Sequence, residues 1–134
     1  MATVKRALHW PRLWLGLWLL AVVGVIVLSL VPPPPLPLEP PKNFDKLMHV
    51  LAYFALAFGA VQLFERGRTL VWVALGLVLL GVLLEWAQGA MVPEVRMADP
   101  WDALANTMGV LLGMAAVATP LSTCLLRLER ALAR

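Results

Sequence analysis

Charged residues are scarce in this chain. They fill 14% of 134 positions, against 61% hydrophobic residues. That apolar share is well above an ordinary soluble domain's, so a water-solvated globule is excluded and an integral membrane protein is implied. Cysteine is nearly missing. The single Cys124 excludes an intramolecular disulfide, cannot build a cysteine metal site alone, and reads as a packing residue. Familiar catalytic signatures are missing too: there is no HExxH, nucleophile elbow or phosphate loop. The carboxylates fall at no recognised ligand spacing, so no metal and no cofactor is expected. The net charge of +3 is not gathered into one basic stripe, which speaks against a nucleic-acid surface.

What is present is four long apolar stretches, about 13–31, 47–64, 70–90 and 101–119. Each is close to the roughly 20 residues that a helix needs to cross a hydrocarbon core. Barrel strands would alternate instead of running apolar throughout. The expected fold is therefore an all-α integral membrane domain over residues 1–134, a bundle of four transmembrane helices. The first stretch follows Lys5 and Arg6 but is too long for a typical signal core, and no Ala-x-Ala precedes Pro32, so it reads as a retained span.

Charge sets the expected orientation. With the N-terminus cytoplasmic, the inner segments hold Lys5, Arg6, Arg12, Arg66, Arg68, Arg127, Arg130 and Arg134, eight of the eleven Lys and Arg residues. The outer segments hold Lys42, Lys46 and Arg96. Positive charge in short loops marks the cytoplasmic side, so both termini are expected inside. Residues 32–41, PPPPLPLEPP, contain seven of the eleven prolines and favour a stiff polyproline strap on the outer side, roughly 30 Å long. Glu65-Arg66-Gly67-Arg68 reads as a tight inner turn. The tail from Ser122 to Arg134 mixes leucines with arginines and suggests an interfacial amphipathic helix. Trp10, Trp14 and Trp18 share a face of the first span and read as belt anchors or packing residues, with His9 interfacial beside them.

The polar residues that interrupt the spans gather, by this topology, on the outer side. Asn43 or Asp45 can cap the second span, and Asp45, His49 and Tyr53 share one face at intervals of four. His49 lies about 6 Å beneath Asp45. Glu85 and Gln88 sit one turn apart on the third span, flanked by Gly81 and Gly89. Asp99 and Pro100 suit the start of the fourth, where Asp99, Asp102, Asn106, Gly109 and Gly113 form one stripe. Its lower half, Gly109-x-x-x-Gly113, permits close helix approach.

Two readings of these residues stand open. One is an interhelical clamp, pairing Asp45 with Lys46 or Arg96, His49 with Glu85, and Asn106 with Gln88. The other is a functional pocket. A lone carboxylate at the depth of Glu85 is desolvated and must take up a proton, pair with a cation or bind a metal.

The ordered set Asp45-Lys46-x-x-His49-x-x-x-Tyr53, Glu85-x-x-Gln88 and Arg96-x-x-Asp99-x-x-Asp102-x-x-x-Asn106-x-x-Gly109-x-x-x-Gly113 resembles the signature of the VanZ-like family of small bacterial membrane proteins, over residues 43–117. The resemblance implies a multi-pass protein of the bacterial cytoplasmic membrane. It also implies a site built from Asp45, Lys46, His49, Glu85, Gln88, Arg96, Asp99, Asp102 and Asn106. The namesake is associated with low-level resistance to teicoplanin, a lipid-bearing glycopeptide that acts on the outer face of the membrane. The first span, the strap and the tail lie outside the resemblance.

Two functional classes follow. The first is a non-catalytic envelope protein that binds an amphiphile, with Lys46 and Arg96 meeting an anionic headgroup and apolar walls receiving a chain. Its partners would be membrane lipids, a lipophilic glycopeptide or a lipid-linked envelope precursor. The second is a small intramembrane enzyme in which His49, Glu85 and Asp102, with Asp99, provide acid and base groups or hold a divalent cation. No charged residue lies in the inner half of any span, which leaves a transporter without a path.

Overall fold

The computed structural model describes residues 7–31, 41–91 and 99–133. Five α-helices follow one another: α1 (Pro11–Leu30), α2 (Phe44–Leu63), α3 (Arg68–Met91), α4 (Pro100–Ala115) and α5 (Cys124–Leu132). Two short 3-10 segments, Ala116–Ala118 and Pro120–Thr123, join α4 to α5. No strand occurs among the described residues. Four helices, α1, α2, α3 and α4 with its 3-10 extension to Ala118, are long and apolar enough to cross a membrane. This is the architecture of a multi-pass membrane protein. The proline-rich strap at 32–40 and the extreme N-terminus lie outside the described residues.

Helix starts lie one to three residues before the apolar stretches, because polar residues belong to the first turns. α2 starts at Phe44 and so includes Asp45 and Lys46. Asn43 occupies the position before it with φ 64°, in the left-handed region, and makes no side-chain cap. The side-chain caps expected of Asn43 or Asp45 therefore reduce to Asp45 in the first turn, where a carboxylate meets the positive end of the helix dipole. At α4 the expected cap is made. Asp99 accepts from the Trp101 amide at 2.9 Å, and Pro100 takes the first helical position, where its missing N–H is no loss. Gly67 turns the chain between α2 and α3 with φ 110°, a conformation that an L-residue adopts only with strain.

The tightest packing lies between α2 and α4. A Cβ on Gly109 would collide with the Val50 carbonyl and stand 2.9 Å from the Phe54 nitrogen; on Gly113 it would stand 2.6 Å from Ala57 Cβ and 2.7 Å from the Phe54 carbonyl. Backbone therefore lies on backbone, the geometry that small residues allow between membrane helices. A Cβ on Gly81 of α3 would stand 3.0 Å from Asn106 Cβ and 3.3 Å from the Tyr53 ring, so there side chains lie against the glycine. By contrast α1 has no buried residue. It is apolar all round, as a helix in contact with lipid must be.

Buried side chains form two clusters, one around Tyr53, Leu56, Ala57, Leu77 and Val110 in the middle and one around Leu8, Ala60, Val61, Phe64 and Ala116 toward α5. Trp18 packs on both and donates its indole N–H to the Leu56 carbonyl at 2.8 Å. Trp14 donates to Glu129 on α5 at 2.6 Å. Both are thus anchored packing residues, whereas Trp10 is exposed. Gln62 donates to the Leu121 carbonyl and accepts from the Leu125 amide, and Arg66 donates to Ser122. These bonds close the α5 end and leave the opposite end to the polar residues.

Candidate functional site

The start of α2, the end of α3 and the start of α4 meet at the end remote from α5. Alternating helix direction brings them there, since α2 and α4 leave this end while α3 arrives. The residues then stack in layers: Lys46 with Asp99 at the rim, His49 with Glu85 and Asp102 below them, and Tyr53 with Asn106 and Gly81 deeper still. Close α2–α4 contact at Gly109 and Gly113 holds these layers in register.

Lys46 organises the rim. Its Nζ donates to Asp99 Oδ2 at 2.8 Å and Asp102 Oδ1 at 3.0 Å, and stands 3.6 Å from Asp45 Oδ2. The hydrogen bond from Lys46, helped by the Trp101 amide, holds the Asp99 carboxyl below the usual carboxylate range. A Lys46 ammonium shared among three carboxylates is not left over to bind an anionic headgroup by itself.

Below it, His49 Nδ1 lies 3.0 Å from Asn106 Oδ1. An amide oxygen only accepts, so Nδ1 carries the proton and donates. The other ring nitrogen, Nε2, then points at two carboxylates, 3.8 Å from Glu85 Oε1 and 3.7 Å from Asp102 Oδ2. Ligand-type atoms of His49, Glu85 and Asp102 all lie within 4.8 Å of one another. Asp102 spans both layers, one oxygen on Lys46 and the other toward His49.

Exposure falls steadily inward. The side chains of Asp45, Asp99, Lys46, His49, Asp102 and Glu85 are 60, 35, 30, 17, 13 and 6% exposed. The site is thus a polar recess opening at one end of the bundle, with Glu85 at its floor. Tyr53 lies beneath His49 on the same face of α2, 2% exposed, and its hydroxyl has no hydrogen-bond partner among the described residues.

Seven of the nine residues singled out in the sequence, Asp45, Lys46, His49, Glu85, Asp99, Asp102 and Asn106, therefore come together. Gln88 is buried near them but turns to α1, donating to the Ser29 carbonyl at 2.8 Å. The expected Gln88–Asn106 pair gives way to His49–Asn106, because the His49 ring nitrogen reaches Asn106 first from the facing helix. Arg96 lies outside the described residues. No ligand spacing was visible in the sequence because His49, Glu85 and Asp102 come from three different helices. The signal that remained was position, since all three lie within about two turns of helix ends that alternating helix direction brings together.

No protein family, no curated protein and no solved structure matches this chain on comparison.

Proposed function

We propose that this protein is a VanZ-like membrane protein of the bacterial cell envelope that binds the polar head of a membrane amphiphile where α2, α3 and α4 meet. The amphiphile is an envelope lipid or a lipid-bearing glycopeptide of the teicoplanin kind. The observation that carries this reading is the inward fall of exposure from Asp45 to Glu85. A polar head arriving at the membrane surface meets an open charged rim and then a buried floor, while exposed Leu47, Trp86 and Trp101 around the same end offer an apolar path for its chain. Charge supplies the side. Arg12, Arg66, Arg68, Arg127 and Arg130 belong to the α5 end and Lys42 and Lys46 to the site end, a partition that supports an outer-face recess under the positive-inside rule.

Native mass spectrometry of the full chain in mild detergent tests this. The wild type should carry a retained lipid, and Glu85→Gln and Asp102→Asn should lose it while still inserting and running as folded protein. Teicoplanin tolerance of cells producing these variants should fall in parallel. A wild type that retains no lipid and alters no tolerance would overturn the reading.

The convergence of His49, Glu85 and Asp102 favours a second reading, an intramembrane enzyme acting on a lipid-linked envelope substrate with these three as its acid and base groups. Turnover of a lipid-linked precursor by purified protein, abolished by His49→Gln with binding retained, would select it over simple binding.

A further inference from the structure

We infer that His49, Glu85 and Asp102 form a binding site for one divalent first-row cation, of which Zn2+ is the best probe. Three features of the cluster carry this. The first is spacing. Nε2 of His49 stands 3.7 and 3.8 Å from its two carboxylate neighbours, too far for the charge-assisted hydrogen bonds of about 2.8 Å that an imidazolium would make with them. Ligand atoms sharing a tetrahedral ion with bonds of about 2.1 Å stand roughly 3.4 Å apart, so small side-chain movements bring all three onto one ion.

The second is orientation by neighbours. Asn106 holds the proton on Nδ1 and so leaves the Nε2 lone pair facing the carboxylates; Lys46 takes Asp102 Oδ1 and turns Oδ2 inward. Metal-binding histidines and carboxylates characteristically have such outer partners, which fix tautomer and direction. Neutral imidazole with two carboxylates balances a 2+ charge, so the three ligands and the ion together bring no net charge into the recess.

The third is independent of the ligand set. The Tyr53 hydroxyl is buried without a hydrogen-bond partner among the described residues, one turn below His49 on the same face of α2. A solvent or substrate oxygen on the ion's fourth position would be its natural partner. One nitrogen and two oxygens, with no thiolate, suit Zn2+ or Mn2+; the imidazole disfavours Ca2+ and Mg2+. The open position would also offer a Lewis-acid centre to an anionic headgroup oxygen, which Lys46, shared among three carboxylates, is not left over to bind. That last step rests on the amphiphile-binding reading; the metal site does not.

The test uses the full chain in mild detergent, stripped with chelator and titrated with Zn2+. Bound metal is counted by elemental analysis, thermal unfolding is followed, and Co2+ substitution is read by its visible absorption. We expect one Zn2+ per chain, a raised Tm and a ligand-field spectrum with Co2+. His49→Gln, Glu85→Gln and Asp102→Asn should each weaken binding by more than about 100-fold, and the outer-partner change Asn106→Leu by about 10–100-fold. His9→Ala, altering the other histidine, should leave the stoichiometry at one. Wild-type protein that binds no Zn2+ and gives no Co2+ spectrum would overturn the site. So would Zn2+ binding undiminished in Glu85→Gln and Asp102→Asn protein of normal thermal stability. Retained lipid is scored on the same samples: metal without lipid keeps the site and removes the amphiphile reading, and lipid without metal does the reverse.

Discussion

Glu129 and Trp14 meet at 2.6 Å, the indole N–H of α1 donating to a carboxylate of α5. The same carboxylate accepts from the backbone amides of His9 and Trp10 at 2.8 and 3.0 Å. It thereby serves the start of α1 from a distant part of the chain, satisfying amides that no residue of that helix can reach. The amphipathic tail is thus a latch on the first span, and its charged residue is wholly buried. Glu129→Ala should leave three donors unsatisfied and destabilise by about 2–4 kcal/mol. Thermal unfolding in detergent checks this. The lipid or metal content of the surviving folded fraction should not change, because the latch lies at the end remote from the site.

The same carboxylate sets an acid limit. Burial pushes it up, but the His9 and Trp10 amides and the Trp14 indole outweigh burial and hold it below the ordinary value near 4.5. A group depressed in the folded state contributes stability that is complete above its unfolded value and is lost as pH falls through the folded one. Asp99, also depressed, acts in the same direction. Tm should therefore hold from neutral pH down to about 4.5 and decline below it, and Glu129→Gln should flatten that decline. An unchanged acid slope in Glu129→Gln would show that other carboxylates dominate.

Gly109 couples the fold to the site. Even alanine there would drive its Cβ against the backbone of α2, and backbone cannot rotate aside as a side chain can. Gly109→Ala should cost about 1–3 kcal/mol and Gly109→Leu more. Both should also weaken the site, since separating α2 from α4 parts Lys46 from Asp99 and His49 from Asn106. If Glu85→Gln lowers Tm as much as Gly109→Leu while function per folded molecule is kept, the polar residues are a clamp and not a pocket.

Much of this arrangement was legible because helical periodicity assigns residues to faces. The spacing Asp45, His49, Tyr53 and the spacing Asp99, Asp102, Asn106, Gly109, Gly113 each described a real stripe that runs from the exposed rim into the buried helix contact. What periodicity does not supply is the neighbour that a face meets. Gln88 was on the right face, yet its partner is the Ser29 carbonyl, and a backbone oxygen has no signature in sequence. Glu129 carries no sign of burial in the sequence because its three donors lie about 120 residues away, two of them backbone amides. The Asn43 cap failed for a local reason, since its left-handed backbone does not aim the side chain at the helix.

Sidedness is checked by labelling. In a Cys124→Ser background, Lys42→Cys at the site end should react with a membrane-impermeant maleimide on intact cells, and Arg68→Cys at the α5 end only after permeabilisation. The reverse pattern would place the recess on the cytoplasmic face and remove the link to an outer-face glycopeptide.

Lys46 gives the sharpest separation of rim from floor. Lys46→Met keeps much of the stem but removes the ammonium shared by Asp45, Asp99 and Asp102, leaving like charges facing one another. Because Lys46 and Asp99 stand partly in water, screening should keep the loss of Tm below that of Gly109→Leu. The effect on function should be larger than the effect on stability, since Asp102 loses the partner that turns its second oxygen toward His49. Adding Asp99→Asn to Lys46→Met should recover Tm by relieving repulsion, yet recover little ligand retention, because Asp102 remains unoriented. Recovery of both together would show that Lys46 acts on the site only through rim charge and not through Asp102.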